Sequence, residues 1–181
     1  MRKTLGLALL FCLACGGGDD EPTIATLESF QACGGELEGT WTFSNADVDL
    51  GPLNDCPTGT QTVSGLSITG ATTFRADMTY SFEFEAEFTT TEVFPVECLP
   101  EPAPASCQEL GDECSGDIAT GCECVGPSFA GGETEGTWAV TANTVTLTHD
   151  ENEDLEYCVG SDFLQLRGSE RDVQFLYTLT K

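Results

Sequence analysis

The amino-acid sequence predicts an all-β fold: an antiparallel barrel or sandwich of about eight or nine strands, interrupted by a disulfide-stapled loop insertion. Three observations lead there. Thr79 to Phe88 (TYSFEFEAEF) alternates strictly, with Tyr80, Phe82, Phe84, Ala86 and Phe88 on one side and Ser81, Glu83, Glu85 and Glu87 on the other. That is the period-2 signature of a strand with one apolar face and one wetted face. Thr occurs 24 times in 181 residues, and a β-branched residue at that frequency favours strands over helices. Short apolar runs also recur between turn-forming residues at spacings that suit hairpins.

From the N-terminus, Trp41 with Phe43 marks the first strand, Leu66 with Ile68 the next, and the stretch around Phe74 a third. The long Thr79–Phe88 strand follows. Trp138 with Val140 and Val145 with Leu147 flank Ala142-Asn143 as a hairpin. Leu155, Tyr157 and Val159 make a further short strand, Leu164 and Leu166 another, and Val173, Phe175, Tyr177 and Leu179 the last. Helix is confined to two short turns. Ile24, Leu27 and Phe30 recur at three-residue spacing, and Ser106-Cys107-Gln108-Glu109 has the form of a capping box ahead of Gly111. The strands make one domain over residues 24–181, long enough to bury a core of its own. Residues 96–132 break the pattern. They hold Pro100, Pro102, Pro104 and Pro127 with five of the cysteines, and a connection that long reads as a stapled loop.

Ahead of the domain, Arg2 and Lys3 precede an apolar run from Leu5 to Ala14. Ten residues fall short of the ~20 that a helix needs to cross a bilayer, and the pattern is that of a secretory signal peptide over 1–14. Leu13-Ala14-Cys15, with Cys12 three residues before the cleavage point, is similar to a bacterial lipobox. The resemblance implies lipidation of Cys15, a palmitate-bearing anchor and a membrane as partner. Gly16 after the cysteine, where Asp is absent, is similar to the outer-membrane sorting pattern of Gram-negative bacteria. It implies a cell-envelope protein and leaves open which face of that membrane carries it. The alternative is plain secretion with Cys15 as an odd thiol. Residues 15–23 are Gly-rich and acidic and read as a flexible tether.

Eight cysteines then belong to the mature domain: Cys33, Cys56, Cys98, Cys107, Cys114, Cys122, Cys124 and Cys158. An even number in an oxidising compartment is the arithmetic of up to four disulfides. Connectivity is not readable from spacing; a local Cys98–Cys107 bridge is the single pairing expected. Cys122 and Cys124 share one face of an extended strand and so bond elsewhere. No paired C-x2-C groups suit structural zinc, so no metal and no cofactor are expected.

Gly39-Thr40-Trp41 opens the first strand after Cys33-Gly34-Gly35, and Gly136-Thr137-Trp138 opens a later one, continued as AVTANTVTLT. Together with Gly70-Ala-Thr-Thr-Phe74-Arg-Ala-Asp77, these segments resemble the lipocalin-like (G-x-W) domain of uncharacterised Gram-negative envelope lipoproteins, over roughly Cys33 to Lys181. The resemblance implies a closed antiparallel sheet and a pocket for a small hydrophobic molecule or lipid. It also implies a cation across Trp41, for which Arg167 and Arg171 are the candidates. Met78 stands where such hairpins place Gly, so a looser turn is expected there.

Composition restricts the partners. With 31 Asp plus Glu against six Lys plus Arg and a formal charge of −25, the chain lacks the cations that hold a phosphate backbone, so nucleic acid is excluded as a partner. An anionic lipid surface is disfavoured likewise. His149, the one histidine, sits among Asp150, Glu151, Glu153 and Asp154 with no G-x-S-x-G elbow in the chain, and reads as a surface side chain. Asp150, Asn152 and Asp154 open like a calcium loop, but Leu155 and Ser161 stand where Gly and Glu are needed, so a solvated acidic turn is the plainer reading. No enzyme is expected. An eight-stranded barrel is just wide enough to be filled by side chains or to hold one small molecule. The inward candidates are Trp41, Phe43, Tyr80, Phe82, Phe84, Phe88, Trp138, Phe175 and Tyr177. At about 150–250 Å² each they suffice to fill such an interior, so a solid core and a pocket both stand open. Two functions follow: a lipoprotein that binds a small apolar ligand, or a structural lipoprotein that meets protein partners through its Cys-rich loop. Oligomeric state is not legible. Labelled palmitate fed to a bacterial host expressing the chain is expected to enter the wild-type protein and to be absent from Cys15→Ser.

Overall fold

The computed structural model describes residues 25–53, 56–111, 113–170 and 173–181. The expected signal peptide over 1–14, Cys15 and the tether over 15–23 lie outside the described residues. Ten strands form: β1 (Gly39–Asp49), β2 (Pro52–Leu53), β3 (Cys56–Phe74), β4 (Thr79–Phe94), β5 (Cys114–Asp117), β6 (Gly121–Thr141), β7 (Thr144–Thr148), β8 (Asn152–Val159), β9 (Phe163–Glu170) and β10 (Val173–Thr180). They make one antiparallel sheet in which each long strand pairs with the next along the chain. The short β2 and β5 are additions beside β3 and β6. β1 is paired along both edges, with β10 from Thr42↔Thr180 to Asp49↔Gln174 and with β3 from Gly39↔Phe74 to Thr42↔Ala71.

Strand lengths are unequal, and this shapes everything above the base of the sheet. β3, β4 and β6 run for 19, 16 and 21 residues, whereas β7 to β10 run for five to eight. β7 covers β6 only over Thr137–Thr141, and β1 covers β3 only over Ala71–Phe74. Beyond those contacts the three long strands continue as a ribbon paired edge to edge. Leu66, Ile68 and Phe74, expected in two strands, therefore belong to one. It bends at a bulge between Ser64 and Ser67, where Gly65 takes φ 63°, a conformation that glycine adopts without a Cβ penalty.

The loop expected over 96–132 is shorter than its composition implies. From Cys114 onward it is β5 and the first half of β6, joined by a turn at 118–120. Gly126, Gly131 and Gly132 with Pro127 hide the alternation of β6. Pro127 is tolerated because this stretch pairs with β4 alone, leaving the side that needs an N–H donor empty. The 3-10 turn at Cys107–Glu109 falls where the capping box placed a helical turn, although Ser106 makes no side-chain cap. Glu109 Oε2 instead accepts from the Ala105 N–H at 2.9 Å.

The eight cysteines join as Cys33–Cys158, Cys56–Cys98, Cys107–Cys122 and Cys114–Cys124. The expected Cys98–Cys107 bridge is wrong. β4 continues to Phe94 and delivers Cys98, through the 3-10 turn Val96–Cys98, to the start of β3. Cys107 is carried instead against β6, and Cys114 faces Cys124 directly in the β5–β6 register. Cys107–Cys122 and Cys114–Cys124 thus gather at the ribbon tip around Phe94, Leu99, Leu110 and Ile118, and Cys56–Cys98 ties the start of β3 to the turn that follows β4. The fourth ties the N-terminal segment to β8, where Gly34 bridges Cys158.

The main core fills the opposite end. Leu37, Trp41, Phe74, Tyr80, Trp138 and Tyr157 are buried together with the leucines of β7, β8, β9 and β10. The Trp41 indole N–H donates to the Leu37 carbonyl at 2.8 Å, and the Tyr157 hydroxyl donates to Gly35 O at 3.2 Å. The cation across Trp41 is Lys181, 4.5 Å from the ring centroid, because the pairing of β10 with β1 brings the C-terminus beside that ring. Arg167 lies over Phe30 and pairs with Glu156, and Arg171 is outside the described residues.

The turn at Met78 is tight rather than loose: Met78 N–H donates to Arg75 O at 3.0 Å and Arg75 N–H to Thr79 O at 2.9 Å. Met78 meets this geometry with φ 65°. A left-handed conformation costs a side-chain-bearing residue roughly 1–2 kcal/mol, and glycine in exchange adds about 0.5–1 kcal/mol of unfolded-state entropy. Since Met78 is exposed, Met78→Gly is expected to stabilise the fold by about 0.5–1 kcal/mol, read as a higher urea midpoint at unchanged slope.

Candidate functional site

At Phe84 the core face of β4 carries a large side chain and the neighbouring strands carry none. Phe84 lies between Gly70 of β3 and Gly132 of β6, and Ala86 between Ile68 and Ala130. At Gly70 the close approach is required, since a Cβ would collide with the carbonyl of Glu83. Near the base Tyr80 is covered by Phe74 and sealed into the core. Further along the ribbon the row is only partly covered, by Phe43 and Tyr177 across from it.

The result is an apolar cavity of about 400 Å³ between the ribbon and the facing strands. Ile68, Phe84 and Phe88 form one wall; Val48 of β1 with Phe175 and Tyr177 of β10 form the other. It continues into a smaller space of about 210 Å³ towards Tyr80 and Leu147, with Phe84, Phe175, Tyr177 and Glu170 bordering both. The aromatic rings brace one another at its floor. Phe43 meets Phe82 edge-on at 5.2 Å and Tyr177 at 5.4 Å, and Phe175 stacks on Tyr177 at 4.8 Å. The nine aromatic residues singled out in the sequence therefore divide. Trp41, Phe43, Tyr80 and Trp138 are buried in the core, while Phe82, Phe84, Phe88, Phe175 and Tyr177 stay half-buried around the cavity.

No family model, curated protein or solved structure matches the chain. The chemistry of the cavity is carried by its own residues.

Three polar side chains at its rim continue the inward period of neighbouring strands, Glu153 half-buried and Glu170 and His149 exposed. Glu153 precedes Leu155 and Tyr157 on β8, Glu170 follows Leu164, Leu166 and Gly168 on β9, and His149 follows Val145 and Leu147 of β7, each at period 2. Antiparallel order brings all three to one end. Burial holds the Glu153 carboxyl above its ordinary range; His149 pulls it back down and Glu170 pushes it further up. The Tyr177 phenol is pushed up to about 12, mainly by burial and then by Glu153 and Glu170. Tyr80 is raised by burial and by Glu153, and its hydroxyl shares a 3.3 Å hydrogen bond with His149 Nδ1. His149 is exposed, as the sequence predicts, and its ring reaches the cavity wall through that bond. Glu153 and Glu170 were missed as site residues, although continuing the alternation of Leu155 and of Leu166 outward finds both.

The acidic turn holds no metal arrangement: Asn152 accepts from the Thr148 hydroxyl at 3.0 Å and Asp154 from the Thr146 hydroxyl at 2.6 Å. No group of three or more His, Cys, Asp or Glu set to hold a metal ion occurs among the described residues.

A carboxyl whose folded pKa is raised keeps its proton to higher pH in the fold than in the unfolded chain, so stability falls as pH rises through its titration. Glu153→Gln removes that loss. It is expected to raise the melting temperature at pH 7 and to leave it unchanged near pH 3, where the carboxyl is protonated in both states, with Glu170, His149, Tyr80 and Tyr177 as the facing groups.

Proposed function

We propose that the sheet closes as an eight-stranded antiparallel barrel of the lipocalin-like kind, and that the protein is an outer-membrane lipoprotein that holds a small apolar ligand in the barrel's open end. Closure is supported by the double pairing of β1, since following β3, β4, β6, β7, β8, β9 and β10 leads back to it. The observation that carries the function is the apolar cavity. Its volume of about 400 Å³ falls in the range of small-molecule sites, which are concave and mostly apolar with a few polar groups. A barrel built only for stability would spend its aromatic side chains on sealing both ends; this one seals the base and leaves Phe84, Phe88, Phe175 and Tyr177 half-buried around a space.

A second reading is favoured by the ribbon tip, where Val93, Val96 and Val125 are exposed beside three disulfides and Phe129 is 73% exposed on the outer face. In that reading the lipoprotein meets protein partners through the tip, and the cavity is incidental.

Fluorescence titration separates the two. N-phenyl-1-naphthylamine, an uncharged dye that brightens in apolar surroundings, is expected to bind the disulfide-bonded Cys15→Ser chain saturably at one site. Gly132 shares the face of Phe84, and a Cβ there meets nothing within 4 Å. Gly132→Phe is therefore expected to fill the cavity and weaken the dye by about tenfold, roughly 1.4 kcal/mol, without lowering the melting temperature. A flat titration in the folded protein sinks the ligand reading and favours the tip.

A further inference from the structure

If the cavity is a ligand site, its rim says which end of the ligand it would hold. We propose that the ligand is an apolar amine, its ammonium held between Glu153 and Glu170 and its hydrocarbon or aromatic body lying against Phe84, Phe175 and Tyr177. The inference deepens the reading of the cavity as a binding site and rests on it.

Position argues first. Both carboxylates stand where the alternation of β8 and β9 calls for an apolar side chain, and both border the same apolar space. Glu153, half-buried there, carries a desolvation cost, and the exposed Glu170 beside it adds repulsion. Among the described residues His149 alone acts against this at Glu153. Among the described residues the one ion pair is Arg167 with Glu156, on other side chains altogether. Arg75 bonds Ser81 at 3.0 Å on the outer face, and Lys181 covers Trp41 at the sealed base. An ammonium at the rim would relieve both carboxylates at once.

The walls argue second. Phe84 and Tyr177 have ring centroids 6.2 Å apart, with Phe175 at 4.8 Å from Tyr177. Faces of aromatic rings attract a cation through their quadrupole, more strongly where water is scarce. The opposite sign is disfavoured at every range. A fatty-acid carboxylate would meet Glu153 and Glu170 at the rim and a chain of formal charge −25 on approach. Two carboxylates alone do not make a metal centre, so an organic cation is the charge that suits both rim and wall.

Binding of an amine is expected to tighten as pH rises from 5.5 to 7.5, because the Glu153 carboxyl, which burial holds above its ordinary range, ionises more fully over that interval, with Glu170 and His149 the charged groups beside it. Tyr80 and Tyr177, the other titratable groups facing Glu153, keep their protons throughout.

The test uses the disulfide-bonded Cys15→Ser chain loaded with N-phenyl-1-naphthylamine and displaced by decylamine, decanol or decanoate, three probes of one length and three charges. Decylamine is expected to displace the dye at about one tenth the concentration of decanol at pH 7.5, a tenfold preference, with decanoate the weakest. Glu153→Gln with Glu170→Gln is expected to erase the advantage of the amine and to leave decanol and the dye unchanged, which shows that the cavity is intact. Equal displacement by amine and alcohol, a preference for decanoate, or an amine preference that survives both substitutions overturns the inference while the ligand reading stands. Failure of the dye and of all three probes to bind, checked by calorimetry, overturns both.

Discussion

The structure depends on how the apolar face of β4 is covered. Four aromatic side chains and Ala86 at period 2 commit one face of a 16-residue strand to burial, and burial has to be supplied by the rest of the chain. At the base, β7 to β10 and the N-terminal segment supply it, and Tyr80 disappears into a core with Phe74 and Trp138. Along the ribbon the neighbours of Phe84 are Gly70 and Gly132, too small to cover it. The same row of residues is therefore core at one end and cavity wall at the other. One strand pattern serves stability and recognition through the size of its neighbours.

Covalent closure follows the same division. Cys33–Cys158 spans 125 residues and locks the N-terminal segment over the base, where packing is already dense. The tip holds little apolar mass, and there three bridges cluster. Of these, Cys107–Cys122 closes 15 residues, a loop size worth about 3 kcal/mol in the chain-entropy account. Disulfides stand where the core runs out.

The all-β class and the alternating strands were legible because each has an uninterrupted apolar face. Residues 121–132 were not, since Gly, Ala and Pro leave no alternation to read, and small side chains on a ribbon paired along one edge need none. Cysteine parity gave four bridges but not their partners, which depend on how far β4 extends. The aromatic candidates were found as a group, and their division between core and cavity was hidden because it is decided by Gly70 and Gly132 on other strands. Glu153 and Glu170 were readable in principle. Each extends the inward period of its strand by one step, and an acid at an inward position was passed over as part of a generally acidic chain.

From Gly126 to Gly136, β6 pairs with β4 alone among the described residues, so its outer edge is a ladder of open donors and acceptors. Such an edge is a template for a second chain. This one is broken by Pro127 and guarded by Glu133 and Glu135, and two copies docking edge to edge would bring those carboxylates side by side. The barrier is electrostatic, and its reach is the Debye length: about 8 Å at physiological ionic strength and about 3 Å at 1 M salt. Salt shortens the reach of that guard, so the edge is best protected where ionic strength is low.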